Sequence, residues 1–195
     1  LTGDNQKDLT IYVEDEIAKQ LIENLFNVLV SKRVTIIDVG SKENVIRMTS
    51  AHHFNLDLGN AIGIPDGDTT DKEIKNWCSK YMLKAGEICS DDEFILRKAK
   101  YFTTLPSNIA PEKYILSKIK SEVDFIKYID DSDEFADFIT NKIDISENHH
   151  SLFFHIAEFL SKDLDGVKRD ILKYLSSNFS EEFESIINLV NEKLL

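Results

Sequence analysis

Cysteine is scarce in this chain. Cys78 and Cys89 lie eleven positions apart with no His or Cys companion at zinc spacing, which excludes a zinc module or a disulfide framework and leaves reduced structural thiols. Long apolar runs are also missing. Lys, Asp, Glu or Asn interrupts every hydrophobic stretch within a few residues, so nothing approaches the roughly 18 residues of a membrane-spanning helix, and no secretory apolar region opens the chain. A cytoplasmic protein with no membrane partner is the expectation. Basic charge is in the minority, with 23 Lys and Arg against 35 Asp and Glu and a net charge of -12. Phosphate binding needs lysine and arginine surfaces, so the chain does not hold nucleic acid by its own general electrostatics. Any reading with a nucleic-acid substrate therefore needs bound metal ions, which reverse the local sign of a carboxylate cluster, or a basic partner. A Gly-x-x-x-x-Gly-Lys-Ser/Thr loop is absent as well, and ATP binding is not assigned to these residues. There is no fixed-period repeat and no low-complexity tract.

What remains is 195 residues with 42% apolar content, enough for one full core or a core with a helical appendage. The chain starts at Leu1 and a polar stretch from Thr2 to Asp8 precedes the first strand-like run, as in a piece of a longer polypeptide or a processed product. Leu9 to Val13 is apolar and β-branched. Ile17, Leu21, Ile22, Leu25, Phe26 and Leu29 then recur at helical spacing, which predicts strand followed by helix. Arg33 to Val39 predicts a second strand, closed by Gly40 and Ser41, and Lys42 to Ser50 a second helix. Ala61 to Ile64 is a third short strand. It runs into Pro65-Asp66-Gly67-Asp68 and a helix over Asp71 to Lys84. After an acidic turn at Asp91 to Glu93, Lys100 to Leu105 predicts a fourth strand, with Pro106, Ser107 and Asn108 as a loop and Pro111 in the first turn of another helix. Strands alternating with helices imply an α/β fold with a parallel four-stranded sheet flanked by helices. From Glu112 onward the apolar spacing is helical, which places an α/β domain at 1–122 and a C-terminal helical subdomain at 123–195.

Ligands of open parallel sheets sit beyond the carboxyl ends of the strands, so acids at several such ends converge although they are distant in sequence. Glu14, with Asp15 and Glu16, closes strand one; Asp38 and Gly40 close strand two; Asp66 and Asp68 close strand three. Oxygen ligands of this kind suit Mg2+ or Mn2+. With 35 acids in the chain, a carboxylate after a strand is common and Asp-Gly-Asp is also a plain turn sequence. The joint placement in an alternating β/α register is what makes Glu14, Glu16, Asp66 and Asp68 candidate metal ligands.

The arrangement of strand-Glu14, Gly40 after the second strand and Asp66-x-Asp68 after the third resembles the Toprim signature of topoisomerases, primases and related nucleases. It is most similar to the Toprim nuclease domain of the overcoming-lysogenization-defect (OLD) family. The stretches that carry the similarity are Ile11-Tyr12-Val13-Glu14-Asp15, Gly63-Ile64-Pro65-Asp66-Gly67-Asp68, and Leu105-Pro106 followed by Ala110-Pro111-Glu112-Lys113. They cover about the first 120 residues, and the helices around His149-His150 are more faintly similar. The resemblance implies a two-metal, Mg2+- or Mn2+-dependent DNA endonuclease with Glu14, Asp66 and Asp68 as catalytic residues. Its implied setting is the effector part of an OLD-like ATPase-nuclease in defence against phage. The implied partners are DNA, an ATPase domain or subunit outside these residues, and further copies of the chain. The sequence departs from the pattern at Ala18, where many relatives carry a second acid four positions after the glutamate, so Glu16 or Asp15 would stand in. It departs again at Ser107, where the Leu-Pro-Gly segment has glycine. Related nucleases place a lysine near the scissile phosphate; Lys98, Lys100 and Lys113 are the candidates and Lys113 is preferred. His149 and His150, after an acidic cluster and Asn148, read as surface or capping residues rather than phosphate contacts, and Phe153, Phe154 and Phe159 as core rather than a base-stacking platform.

Three other readings stay open. Val13-Glu14-Asp15-Glu16 also resembles the acidic pair of a two-component receiver, with Asp66 as phosphoacceptor and Thr103 or Thr104 as switch residue. A receiver needs a fifth strand ending in Lys-Pro, and only helices are predicted after Leu105. A haloacid-type phosphatase would want Asp-x-Asp-Gly-Thr, where this chain has Asp66-Gly67-Asp68-Thr69. The remaining alternative is a non-catalytic Toprim-fold interaction module.

Overall fold

The computed structural model describes residues 8–54, 60–84 and 86–195; of the polar N-terminal stretch only Asp8 falls among them. Three parallel strands form the sheet: β1 (Leu9–Val13), β2 (Val34–Asp38) and β3 (Asn60–Ile64), in the order β2-β1-β3. β1 is central, with Leu9 opposite Val34 on one side and Asn60 on the other, and Val13 opposite Asp38 and Ile64. The chain leaves β1 for one neighbour and then crosses back to the other. The strand order therefore reverses at β1, and the carboxyl ends of β1 and β3 flank the crevice where such sheets bind ligands.

β1 and β3 bury both faces, as parallel strands do, while the edge strand β2 is partly exposed toward its carboxyl end. Leu9, Ile11, Val13, Ile62 and Ile64 point into the larger core, shared with α1 (Glu16–Leu25) and the C-terminal helices. Tyr12 and Ala61 point the other way, onto Val45 of α3 (Lys42–Phe54). Behind α3 lie α4 (Asp71–Met82) and α5 (Asp91–Tyr101), which pack through Ile46, Ile74, Cys78, Cys89 and Phe102. The two cysteines are buried free thiols. α6 (Pro111–Ser121) begins at the proline expected to open it. α7 (Val123–Ile129), α8 (Asp133–Asp137), α9 (Leu152–Leu160), α10 (Leu164–Asn178) and α11 (Glu184–Leu194) follow. α10 lies on α1, and α11 reaches β1 and β3. The apolar core therefore runs without a break from the sheet across residue 122 into Phe125, Phe135 and Phe183, all fully buried. Among the described residues no helix is long and apolar enough to cross a membrane.

Three expectations need correction. Helix α1 stops at Leu25, because Phe26 is extended and the Asn27 side chain accepts hydrogen bonds from Leu29 N (2.9 Å) and Val30 N (3.1 Å). That cap starts a separate short turn, α2 (Val28–Ser31), with Val28 and Leu29 exposed. The acidic turn at Asp91 to Glu93 is the first turn of α5. Ser90 caps it by accepting from Glu93 N (3.2 Å), and three acids face the positive end of the helix dipole. The fourth strand is not formed over Lys100 to Leu105, since Lys100 and Tyr101 finish α5. Only a single parallel bridge joins Phe102 to Gly63, and Thr103 N and Leu105 N donate to Gly63 O (3.2 Å) and Pro65 O (3.1 Å). This is a fringe on the free edge of β3, and the sheet has three strands.

Gly63 permits that fringe to approach. A Cβ there would lie 2.6 Å from Thr49 Oγ1 and 3.0 Å from side-chain atoms of Phe102 and Val45. Thr49 is itself buried and tied to Val45 O at 2.8 Å, so it has no room to withdraw. Gly63→Ala is expected to destabilise the fold by about 1–3 kcal/mol through overpacking. In a chain of this size each kcal/mol lowers Tm by about 2–4 °C in thermal denaturation.

Candidate metal centre at the strand ends

The three loops beyond the sheet are fixed by backbone hydrogen bonds. Val39 N and Gly40 N donate to Val13 O (3.0 Å) and Glu14 O (2.8 Å), continuing the β1-β2 ladder past the strands. Gly40 turns away at φ 81°, a left-handed conformation that costs glycine nothing. Glu14 is thereby held at the end of β1. Asp66 closes a turn at the end of β3, with Thr69 N donating to Asp66 O at 3.0 Å. Gly67, between the two aspartates, lies against the next loop so closely that a Cβ would sit 2.7 Å from the carbonyl oxygens of both Pro106 and Ser107. Glycine is what lets the Asp-Gly-Asp turn dock there. Ser107 occupies a left-handed φ of 74°, the conformation that explains a glycine at this place in the Leu-Pro-Gly pattern.

The docked turn brings acids together. Asp66 is 9% exposed, and Asp66 Oδ1 and Glu14 Oε2 are buried with no hydrogen-bond partner among the described residues; Thr69 Oγ1 is in the same condition. Burial, reinforced by the charges of Glu14, Asp15, Asp68 and Glu112, pushes the Asp66 carboxyl up to about 8. Glu14 is raised by burial and then by Asp68 and Asp15, although Lys42 and the Asp66 backbone N–H pull it back. Asp15 is raised by burial too, while its side chain caps α1 by accepting from Ala18 N at 2.9 Å. Asp68 is exposed at the rim. Lys42, at the start of α3, lies 3.7 Å from Asp68 and 3.4 Å from Glu73. Burial acts to lower the Lys42 pKa, but the Asp68 and Glu73 carboxylates outweigh it and the net shift is upward.

Orphaned carboxylate oxygens with too little compensating charge suit a hard divalent cation, and the oxygen-only donor set of Glu14, Asp66 and Asp68 matches Mg2+ or Mn2+. Glu16 points elsewhere: it is exposed and pairs with Lys19 (3.7 Å) and Gln20 (2.9 Å), so Asp15 is the neighbour whose charge reaches Glu14 and Asp66. Ala18 is wholly buried in the core, in the place of the second acid. Lys113 is exposed on α6, in a groove with Lys120, Asp144 and Ser146. Lys98 pairs with Asp71 and lines a pocket with Gly67, Asp68 and Thr69, while Lys100 lies over the Tyr101 ring at 5.2 Å. Lys42, absent from the expected lysines, pairs with Asp68; it follows Gly40 at the same edge of the sheet. Glu112, part of the Pro-Glu similarity, is 1% exposed and bonded to His150, which together with His149 lies beside it. Phe153 is core, Phe159 stacks on Phe138 at 4.3 Å, and Phe154 is exposed.

The fold is similar to that of a bacterial protein region already solved. Two structures of the C-terminal region of the OLD protein from Xanthomonas campestris pv. campestris, phased with mercury and with iodine, superpose with a TM-score of 0.56. Identity is 14% and 15%; the match covers 96% and 95% of this chain and 94% and 95% of those chains. A third, phased with platinum, gives 0.55 at 14% identity, over 95% of this chain and 91% of that one. At such identity the shared property is the fold. No protein-family model matches the chain, and no curated protein does.

Two outcomes follow for the metal-free protein. Because Asp66 has its pKa raised from 3.8 to about 8, the folded state binds a proton more tightly than the unfolded one. The resulting stability is complete below pH 3.8 and is lost as pH rises through about 8. Asp66→Asn should flatten that slope in Tm against pH and raise the metal-free Tm at pH 8 by about 2–4 °C or more; an unchanged slope would refute the buried-charge account. Ser107→Gly should stabilise by about 1 kcal/mol in urea denaturation, since it relieves a left-handed backbone at a non-glycine residue.

Proposed function

We propose that this chain is a metal-dependent endonuclease domain of the OLD type, with a Toprim-like site that hydrolyses phosphodiesters in DNA. The observation that carries the reading is the convergence of Glu14, Asp66 and Asp68 at the β1-β3 crevice with two buried carboxylate oxygens lacking partners. The fold similarity to the C-terminal region of an OLD protein supports it. In this reading Glu14, Asp66 and Asp68 hold Mg2+ or Mn2+, with Asp15 beside them. Bound divalent ions of this kind supply a nucleophilic water near neutral pH and offset charge on the leaving oxygen.

The chain's own residues supply the rest. Asp66 must give up its proton to serve as a ligand, so ion affinity increases with pH up to about 8. Lys42 lies 3.7 Å from Asp68 and offers a positive charge at the cluster to an incoming phosphate. The three-stranded scaffold is less favourable to a receiver, for which the sequence already lacked a Lys-Pro strand. Partners in this reading are DNA, an ATPase domain or subunit beyond these residues that carries basic surface, and further copies of the chain. The setting is cytoplasmic defence against phage.

Nicking of supercoiled plasmid in Mn2+ or Mg2+ tests the proposal. Glu14→Ala and Asp66→Ala should each reduce the rate by about 100-fold or more, since they remove direct ligands where even outer-shell changes cost 10–100-fold. Nicking that survives chelation, or that both variants retain, would rule it out, while an inert chain that binds no Mn2+ in calorimetry would favour the interaction module.

A further inference from the structure

A second group of donors adjoins the three strand-end ligands. Glu112, the second residue of α6, is 1% exposed, while His149 and His150 sit on a short turn (His149–Ser151) that leads into α9. Their side chains are 32% and 67% exposed. His150 Nδ1 is 2.7 Å from one Glu112 oxygen and His149 Nε2 is 4.0 Å from the other. The imidazole rings lie 4.1 Å apart between centroids, tilted by 41°, and one donor atom from each residue falls within 4.8 Å of the others. The carboxylate is fixed in the protein and the two nitrogens close over it from the solvent side.

A hydrogen bond from His150 would by itself satisfy a buried glutamate. It does not account for His149, whose ring nitrogen faces the second carboxylate oxygen from beyond hydrogen-bond distance. Two imidazoles and one carboxylate with an open side are, however, a ligand set used for zinc and its neighbours. Ligand atoms about 2.0–2.1 Å from a tetrahedral ion stand about 3.3 Å apart. The 2.7 and 4.0 Å separations lie on either side of that value, within reach of small rotations of two exposed rings.

We propose that Glu112, His149 and His150 form a separate site for a transition-metal ion of the zinc class. Imidazole nitrogen selects such ions over Mg2+, whereas the all-oxygen set of Glu14, Asp66 and Asp68 takes hard cations. The two sites adjoin through Asp15, whose carboxylate senses both Glu112 and His150. The site is defined by its own donors and stands whether or not the chain cuts nucleic acid.

The test is a Co2+ titration of the metal-free chain in excess Mg2+, followed by visible absorption and calorimetry, with no nucleic acid present. One Co2+ per chain should remain bound and show d–d bands, and Glu14→Ala should keep it. The double variant His149→Ala, His150→Ala should weaken it by about tenfold or more; both side chains are partly or largely exposed, so circular dichroism should show an intact fold. Glu112→Gln should act in the same direction. Displacement of Co2+ by Mg2+, loss of Co2+ in Glu14→Ala, or unchanged affinity in the double histidine variant would each overturn the proposal. The last result would leave the histidines as hydrogen-bonding cover for a buried carboxylate.

Discussion

Repulsion between half-buried and buried carboxylates at the β1-β3 crevice is the constraint around which the rest of the molecule is arranged. Glu14 and Asp66 are withdrawn from water, burial raises the pKa of both, and the charges of Glu14, Asp15, Asp68 and Glu112 raise Asp66 further. Lys42 is the cation that answers them, and it is shared with Glu73. Taking ionised oxygens out of water without a partner costs several kcal/mol per group unless they take up protons or find a cation. The metal-free fold takes the first course at Asp66, which is protonated at neutral pH. Cation binding and deprotonation of that one group are therefore coupled in this chain.

A fold tolerates such a site only if the surroundings hold the acids together against their repulsion. Here the restraint comes from backbone. Glu14 and Gly40 are joined through the extended β1-β2 ladder, and the Asp-Gly-Asp turn is clasped against the 105–107 loop at the one residue without a side chain. Beneath the site, a core continuous from the sheet into α10 and α11 locks the strands from one face, and α3 locks them from the other. The last helices are thus mechanical support for the first strands. Packing α11 against β1 and β3 links residues more than a hundred positions apart, so the strand ends are set by the whole chain and not by the α/β half alone.

How much of this was legible in the sequence depended on the range of the interaction involved. Short apolar, β-branched runs closed by turn residues identify β1, β2 and β3, and the acids at their carboxyl ends can be named because strand ends in a parallel sheet share an edge. Lys42 was missed although the same logic applies to it, since it follows the Gly40 turn at that edge. The fourth strand was misread because Tyr101 and Phe102 are apolar and aromatic on either side of a helix end. Ser90 and three following acids carried the competing signal for a helix that starts ten residues earlier. The Glu112 cluster was illegible for a different reason. It joins α6 to a turn 38 positions on, with no spacing rule to connect them, and only tertiary packing makes adjacent histidines converge on a glutamate.

The acidic balance of the whole chain bears on how a polyanion could reach this crevice. A net charge of -12 repels nucleic acid over the screening distance of roughly 8–10 Å at moderate salt, and Lys42, shared between Asp68 and Glu73, does not reverse that field. Two divalent ions would add four positive charges at the strand ends, enough to change the local sign while leaving the outer surface acidic. On the nuclease reading, cation loading therefore has to precede close approach of the phosphate. Capture of the long polymer falls to a basic surface outside these residues. Such a division gives the catalytic part little affinity of its own and makes cutting conditional on delivery, a physical basis for keeping a nuclease domain harmless to the cell that makes it.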